Sequence, residues 1–126
     1  MTRAHAQRLE ADPASVRTAR RAISEVVDGA ADGDQLDRLL LCASETVTNA
    51  IEHGEPPIDF HIAVIDRVVR VEVSDASPLR PRMGEPAPTS IRGRGLLIVD
   101  RCSDHWGVDE AAGGKTVWFE VDIGGS

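Results

Sequence analysis

A long amphipathic helix is the feature that most restricts how this chain can fold. From about Asp34 to His53 the apolar side chains recur every three or four positions, which is the spacing of one helical face. The members of this face are Leu36, Leu39, Leu40, Ala43, Val47, Ala50 and Ile51. A helix with such a face is stable in a small domain only when the face packs against another element, so the rest of the chain must supply that element.

Two polar residues of this helix, Glu45 and Asn49, lie four positions apart and therefore stack on the side away from the apolar face. A carboxylate one turn from an amide oxygen can hold a divalent metal and orient a hydroxyl at the same place. For an isolated Glu-x-x-x-Asn pair, a solvated helix face is the commoner explanation. Leu41 and Cys42 flank the same side, which predicts that another segment or a ligand covers part of it. We expect Gly54 to end the helix in the left-handed conformation.

The remaining segments predict a single α+β domain over residues 1–126. In chain order they are an edge strand (4–10), a helix (13–29) after Asp12, a hairpin (58–64 and 69–75), a proline-rich loop (76–92), a short apolar helix (96–102) and a closing hairpin (104–109 and 115–123). The predicted architecture is a two-layer α/β sandwich, in which helices cover one face of a mostly antiparallel mixed sheet.

Charge and composition narrow the classes of function. The net charge of -7 argues against a general nucleic-acid binder or an anionic-membrane binder. We find no signal peptide and no run of 18 apolar residues, so we expect a cytoplasmic protein. Cys42 and Cys102 form no C-x-x-C motif and are interpreted as small buried residues in a reducing compartment. The four histidines have no metal-ligand spacing.

Two further features could bind a ligand. Strand alternation places Asp75 on the same face as Val69, Val71 and Val73, and a buried carboxylate needs a partner. It could cap a turn, or it could accept a hydrogen bond from a ligand donor such as an adenine amine. The Gly93-Arg94-Gly95 segment precedes the short apolar helix, where backbone amides at a helix start can hold an anion. By itself a G-x-G is a weak signal. The loop 76–92 is typical of a lid or binding loop.

Taken together, these segments resemble the motifs of the GHKL ATPases, in the same order along the chain. The segments are Ser44 to Gly54, Asp75, Gly93-Arg94-Gly95-Leu96 and Gly114-Lys115-Thr116-Val117. The sequence of the first segment is most similar to that of the anti-sigma-factor serine kinases of bacterial sporulation and stress control. The resemblance covers nearly the whole chain. It implies the Bergerat fold and a histidine-kinase-like ATPase domain. It also implies an enzyme, a protein serine/threonine kinase that regulates transcription.

The resemblance also implies a role for each residue. Asn49 would ligate the Mg²⁺ that bridges the phosphates of ATP, and Glu45 would act as general base on a serine hydroxyl of a partner protein. Asp75 would accept a hydrogen bond from the adenine amine. The other positions implied to contact the cofactor are Gly93, Arg94, Gly95 and Leu96, whose amides would hold phosphate oxygens, and Lys115 and Thr116 of the last motif. Strand alternation turns Lys115 inward and Thr116 outward.

The partners implied by the resemblance are proteins, with no direct nucleic-acid contact and no membrane. The substrate would be an anti-anti-sigma protein of the STAS fold and the other client a sigma factor, with Arg17 at the partner surface. Related kinases are dimers, so a homodimer is one option.

Two alternatives remain open. The family usually has D-x-G-x-G after the aspartate, whereas this chain has Asp75-Ala76-Ser77-Pro78-Leu79 without a glycine. One alternative is therefore a partner-sequestering module of the same fold without kinase activity, with the nucleotide as a structural ligand or absent. A detached histidine-kinase catalytic domain is disfavoured, because no helix carries a phosphoacceptor histidine.

Overall fold

The computed structural model of the protein describes residues 3–77, 89–111 and 113–124, with the backbone alone for residues 89–95 and 111. The elements, in chain order, are β1 (Arg3–Leu9), α1 (Ala14–Val26), α2 (Gly33–His53), β2 (Ile58–Ile65), β3 (Val68–Asp75), α3 (Thr89–Cys102), β4 (His105–Ala111) and β5 (Gly114–Asp122). This is the predicted order of elements. α3 begins well before the start that the sequence pattern indicated for it.

The five strands form one sheet in the order β1-β2-β3-β5-β4. All four neighbouring pairs are antiparallel, so the described sheet contains no parallel pair and is not mixed. In the register of β3 with β5, Ser74 lies opposite Thr116 and Asp75 opposite Lys115. The last residues of β3 and the first of β5 therefore meet at one end of the sheet.

The core lies between one face of the sheet and the helices, as a two-layer α+β sandwich requires. Alternate residues of the central strands point into it, and the apolar faces of α1 and α2 close it from the other side. Its largest fully buried side chains are Ile23, Val27, Leu39, Val47, Ile58, Phe60, Ile62, Val69, Val71, Val73, Val99 and Phe119. The three β3 valines and the α2 face predicted from the sequence are thus confirmed as core.

Local signals explain where the elements begin and turn. The Asp32 carboxylate accepts the Gln35 amide at 2.8 Å, and the Gln35 side chain accepts the Asp32 amide at 2.9 Å. This reciprocal capping box starts α2. Asp66 and Arg67 have φ angles of 50° and 69°, the left-handed conformation that a two-residue hairpin turn of type I′ requires. Within the described residues, no helix is long and apolar enough to cross a membrane.

α3 covers the second side of α2, which the sequence analysis expected to be covered. Arg38 Nε of α2 donates to the carbonyl oxygen of Cys102 at 2.8 Å, and Cys42 Sγ lies 3.9 Å from the carbonyl oxygen of Val99. One turn forward along α2 thus corresponds to about one turn backward along α3, so the two helices run antiparallel. Cys42 is fully buried there, as predicted, whereas Leu41 stays 43% exposed.

Candidate functional site

Glu45 and Asn49 occupy the second half of α2, on the helix face that continues beyond Cys42. Both side chains are half-buried. Neither makes a hydrogen bond or an ion pair with any part of the chain that the structure describes, whereas Arg38 on the same face makes both. The buried neighbours Thr46 and Val47 hold this turn of α2 against the core. A carboxylate and an amide are thus placed on a rigid helix with their polar atoms available to a ligand.

The first half of α3 runs level with these two residues. Because the helices are antiparallel and Cys42 already meets Val99, the next turns of α2 pass the part of α3 that contains Gly93 and Gly95. The predicted helix start is wrong, however. α3 begins at Thr89, so residues 93–96 lie inside the helix rather than at its exposed amide end. Interior amides donate to carbonyls four residues earlier, so phosphate could reach them only if the first turns of α3 unwound.

Asp75 ends β3 as a buried carboxylate. Its exposed fraction is 6%, and it continues the inward row of the β3 valines, as strand alternation predicted. The Ser77 amide donates to its Oδ1 atom at 2.7 Å, which is the turn contact that the sequence analysis left open. Asp75 therefore does form a turn, but this contact uses only part of the hydrogen-bonding capacity of the two carboxylate oxygens.

Lys115 is the ionic partner of Asp75. Its Nζ atom lies 2.9 Å from Asp75 Oδ2 and 3.2 Å from Asp75 Oδ1, and it lies 3.2 Å from Ser77 Oγ. The side chains of Lys115 and Asp75 are only 14% and 2% exposed. Lys115 is the only lysine of the chain. It faces inward at this end of the sheet, where it pairs with Asp75.

Gly54, after the end of α2, borders the Asp75 carboxylate. Its φ is -91°, so the expected left-handed helix end is wrong. The reason for a glycine here is space instead: a Cβ atom would lie 2.6 Å from Asp75 Cγ and 2.6 Å from the carbonyl oxygen of Ala50. The Ala76 amide donates to the Glu55 carbonyl oxygen at 2.8 Å, which ties the end of β3 to the same corner. α2 thus contacts both Asp75 and α3.

Thr116 and Arg17 lie away from this corner. The Thr116 hydroxyl is 2.7 Å from the Ser74 hydroxyl on the outer face of the sheet, so Thr116 points away from Asp75, as strand alternation predicted. Arg17 is exposed on α1. Within the described residues, no group of three or more His, Cys, Asp or Glu side chains could hold a metal ion. Of the predicted loop 76–92, residues 78–88 are outside the described residues, and residues 89–92 belong to α3, so that part of the expected loop is helical.

The thiol of Cys42 is near this site but is not a nucleophile. Burial, with a smaller contribution from the neighbouring Cys102 thiol, raises the pKa of Cys42 to about 12. At neutral pH the group is therefore a protonated thiol that packs between α2 and α3. The interpretation of Cys42 as a small buried residue agrees with this position.

The Asp75–Lys115 ion pair is the feature that sequence reasoning missed. Strand alternation had turned each of the two residues inward on its own. What was lacking was the register between β3 and β5, which places them directly opposite each other. Two inward-facing opposite charges, each at the end of a strand, are the signal that could have predicted the pair.

Comparison with known proteins connects this geometry to a family. The family model described as a histidine kinase-like ATPase domain matches residues 9–121. The sequence has no match among curated proteins.

Two solved structures share the fold. The RsbU and RsbW domains of Rv1364c from Mycobacterium tuberculosis superpose with a TM-score of 0.74 at 24% identity, covering 95% of this chain and 32% of that one. The histidine kinase domain of the Erythrobacter litoralis EL346 blue-light activated histidine kinase gives a TM-score of 0.56 at 20% identity, covering 88% and 60%. At these identities the likeness shows the fold alone, which is the GHKL-type fold expected from the sequence.

Proposed function

The chain belongs to the family of histidine kinase-like ATPase domains, and on that premise we propose that it is an ATP-dependent protein kinase of the anti-sigma type. The observation that carries the proposal is the pair Glu45 and Asn49. These two half-buried polar side chains are one turn apart on a rigid helix, and neither has a partner in the described residues. Groups held in this way are typical of residues that act on a ligand.

On this proposal the nucleotide binds near the corner of α2 and β3. Gly54 lets the end of α2 pass directly against the buried Asp75 carboxylate, where even a Cβ atom would not fit, so a base would approach Asp75 from the side away from Gly54. Asn49 offers an amide oxygen, and Mg²⁺ needs few protein ligands when phosphates and water supply the others. Bound Mg²⁺ would neutralise charge on the phosphates. This would be Asn49's part in the reaction, while Asp75 would accept a hydrogen bond from the amine of the base.

Glu45 would take the proton in the transfer step. The serine hydroxyl oxygen of the partner bonds to the γ-phosphorus of ATP, the bond from that phosphorus to the ADP oxygen breaks, and the hydroxyl proton passes to the Glu45 carboxylate. Positioning and charge neutralisation supply most of the catalysis in such transfers. We propose that the serine belongs to an anti-anti-sigma protein of the STAS fold, that a sigma factor is the second client, and that exposed Arg17 contacts a partner. A homodimer and a cytoplasmic location belong to the same proposal.

The test is phosphate transfer from labelled ATP, with Mg²⁺, to a STAS protein encoded in the same genome. We expect transfer by the wild type and a loss of about a hundredfold or more in Glu45→Gln, since a general base contributes about 10²–10⁴-fold. Glu52→Gln is the matched control, because Glu52 is an exposed carboxylate on the same helix. Full transfer by Glu45→Gln would contradict the role of Glu45.

A second candidate function is a partner-binding module of the same fold without kinase activity. The observation that favours it is the occupied Asp75 carboxylate, which already binds Lys115 and the Ser77 amide. Calorimetry with ATP and Mg²⁺ separates the two. Measurable binding supports the kinase, whereas binding of the STAS or sigma partner without any heat from ATP supports the module.

A further inference from the structure

Two exposed leucines lie on the helix layer near Glu45. Among the described residues, the large hydrophobic side chains that stay exposed are Leu41 (43%), Leu97 (49%) and Ile65 (54%). Leu41 belongs to α2 and Leu97 to α3, whereas Ile65 is the last residue of β2. Two of the three therefore belong to the pair of helices that carries the proposed site.

Helix geometry directs both leucines away from the core. Leu41 is two positions after the fully buried Leu39, and two positions correspond to about 200° around a helix. Leu97 is two positions before the fully buried Val99 in the same way. Each leucine thus points to the outer side of its helix, opposite the sheet. This outer side carries two apolar side chains that folding has left in contact with water.

The register between α2 and α3 brings Leu97 close to the turn that joins Leu41 to Glu45. Cys42 Sγ lies 3.9 Å from the carbonyl oxygen of Val99. Because the helices are antiparallel, Leu97 is level with about position 44 of α2. Leu41 precedes Glu45 by four positions, which is about one turn. Glu45 therefore has one leucine a turn before it on its own helix and the other on the neighbouring helix.

A hydroxyl that reaches Glu45 must come from this outer side. The side of α2 that faces the sheet is filled by buried residues such as Ala43. α1 covers the side that carries Ser44, where Arg20 donates to the Ser44 hydroxyl at 2.8 Å. α3 covers the side that carries Cys42. The segment of a partner that brings a serine to Glu45 therefore passes over the two leucines.

A cation extends the same surface. Arg101 follows Leu97 by four positions, so both side chains lie on one side of α3. Arg101 is exposed, and its guanidinium makes no hydrogen bond or ion pair with the part of the chain that the structure describes. An acidic side chain of a partner would be attracted to this position, and a basic one would be repelled.

We propose, on the premise of the proposed function, that Leu41, Leu97 and Arg101 form the docking surface for the phosphoacceptor segment of the substrate protein. An apolar side chain beside the acceptor serine packs on the two leucines, and an acidic side chain of the same segment pairs with Arg101. These contacts hold the serine hydroxyl over Glu45. The partner that fits is thus a segment in which a serine has an apolar and an acidic neighbour.

The first test measures kcat and KM for phosphate transfer to a STAS protein encoded in the same genome. Leu41→Gln and Leu97→Gln retain good helix formers. Each should raise the KM for the STAS protein about fivefold, the loss expected when part of a leucine surface is no longer buried by the partner. The effect should not appear in kcat, because the contact is equal before and during transfer. Leu41→Met keeps an apolar side chain of similar volume and should restore the wild-type KM.

Ile65→Gln is the matched control, because Ile65 is an exposed hydrophobic residue at the end of β2, outside the helix layer. We expect it to leave KM unchanged. Transfer with an unchanged KM in both leucine variants, or an equal rise in Ile65→Gln, would overturn the inference and leave the proposed function standing. If the wild type transfers no phosphate, the proposed function fails, and calorimetric binding of the STAS protein decides the docking surface. That binding should weaken about fivefold in Leu41→Gln, and no binding would overturn both.

The second test concerns the chemistry of the partner. Mass spectrometry of the phosphorylated STAS protein identifies its acceptor serine. Replacing the apolar residue beside that serine with Gln should raise KM for the wild type but add little in Leu41→Gln, since both changes remove the same contact. Arg101→Gln should raise KM about threefold at low salt, and the difference should shrink as salt is added. An acceptor serine with neither an apolar nor an acidic neighbour would overturn the inference.

Discussion

Gly54 shows how a single position can control the geometry of the proposed site. The residue lies after the end of α2, where the helix end passes the Asp75 carboxylate. A Cβ atom at this position would meet Asp75 Cγ at 2.6 Å, Asp75 Oδ2 at 2.7 Å and a backbone oxygen of α2 at 2.6 Å. The backbone oxygen cannot rotate away as a flexible side chain can, so a larger residue would displace either the helix end or the carboxylate.

The Gly54→Ala variant tests whether this position is too crowded for a Cβ atom. We expect a loss of about 1–3 kcal/mol in the free energy of unfolding, because overpacking at a crowded position forces backbone shifts. Gly33→Ala is the control, since nothing lies within 4 Å of a Cβ atom there. Gly33 begins α2, and alanine there should be neutral or stabilising by about 0.4–1 kcal/mol. Urea unfolding followed by circular dichroism measures both, and equal stabilities of Gly54→Ala and the wild type would show that the corner is less crowded than the structure indicates.

At the scale of elements, polar contacts lock α3 and β5 to the rest of the fold. Arg38 of α2 donates to the last carbonyl of α3 and forms an ion pair with Asp104 at 3.2 Å. Asp104 in turn accepts the Asp122 amide at 2.7 Å. The pKa of Asp104 is lowered chiefly by this backbone hydrogen bond, with a smaller contribution from the Arg38 guanidinium. The ionised Asp104 carboxylate therefore joins the end of α3 to the end of β5, and protonation would remove its ion pair with Arg38.

This arrangement predicts a particular pH dependence of stability. The pKa of Asp104 in the folded protein lies below its ordinary value of 3.8. The contribution of the ionised Asp104 side chain to the free energy of unfolding is therefore complete above pH 3.8, and it is lost as the pH falls through the folded pKa. The advantage of the wild type over Asp104→Asn should be about 1 kcal/mol or less, since the side chain is 40% exposed. It should be present at about pH 5 and above and shrink below about pH 4. Urea unfolding of both proteins across this range measures the difference, and a difference that grows as the pH falls below about 4 would contradict the assignment.

Hydrophobic periodicity was enough to predict most of the elements, because it reports burial directly. The face of α2 and the alternating valines of β3 are both fixed by which side chains leave water. The start of α3 could not be predicted in this way. Gly93 and Gly95 disfavour a helix by about 1 kcal/mol each, yet α3 runs through them, since packing of Val99 and Cys102 against α2 overrides local propensity. The Asp75–Lys115 pair joins residues 40 positions apart, and local patterns carry no information about such a register.

At the scale of the whole molecule, the proposed site lies where α2, β3 and β5 meet and is not part of a separate lobe. α2 carries Glu45 and Asn49 on one side and core residues such as Leu39 and Val47 on the other. The sheet contributes Asp75 and Lys115 from strands whose other inward residues are core valines and Phe119. The residues that would bind the nucleotide and the residues that stabilise the fold thus alternate on the same elements, so binding and global stability should be coupled.

Ligand-induced stabilisation tests that coupling and the role of Asn49 together. A ligand that binds only the folded state at a concentration of about a hundred times its Kd adds about 2.7 kcal/mol, which for a domain of this size corresponds to a rise of roughly 10 °C in Tm. We expect such a rise for the wild type with ATP and Mg²⁺, and a much smaller one for Asn49→Ala at the same concentrations. Asp37 is an exposed residue in the first half of α2, so the Asp37→Ala variant should keep the full rise in Tm. If ATP and Mg²⁺ raise the Tm of Asn49→Ala as far as that of the wild type, the metal is held without Asn49. If chelation of Mg²⁺ by EDTA lowers the wild-type shift to that of Asn49→Ala, then the amide and the metal act as one unit.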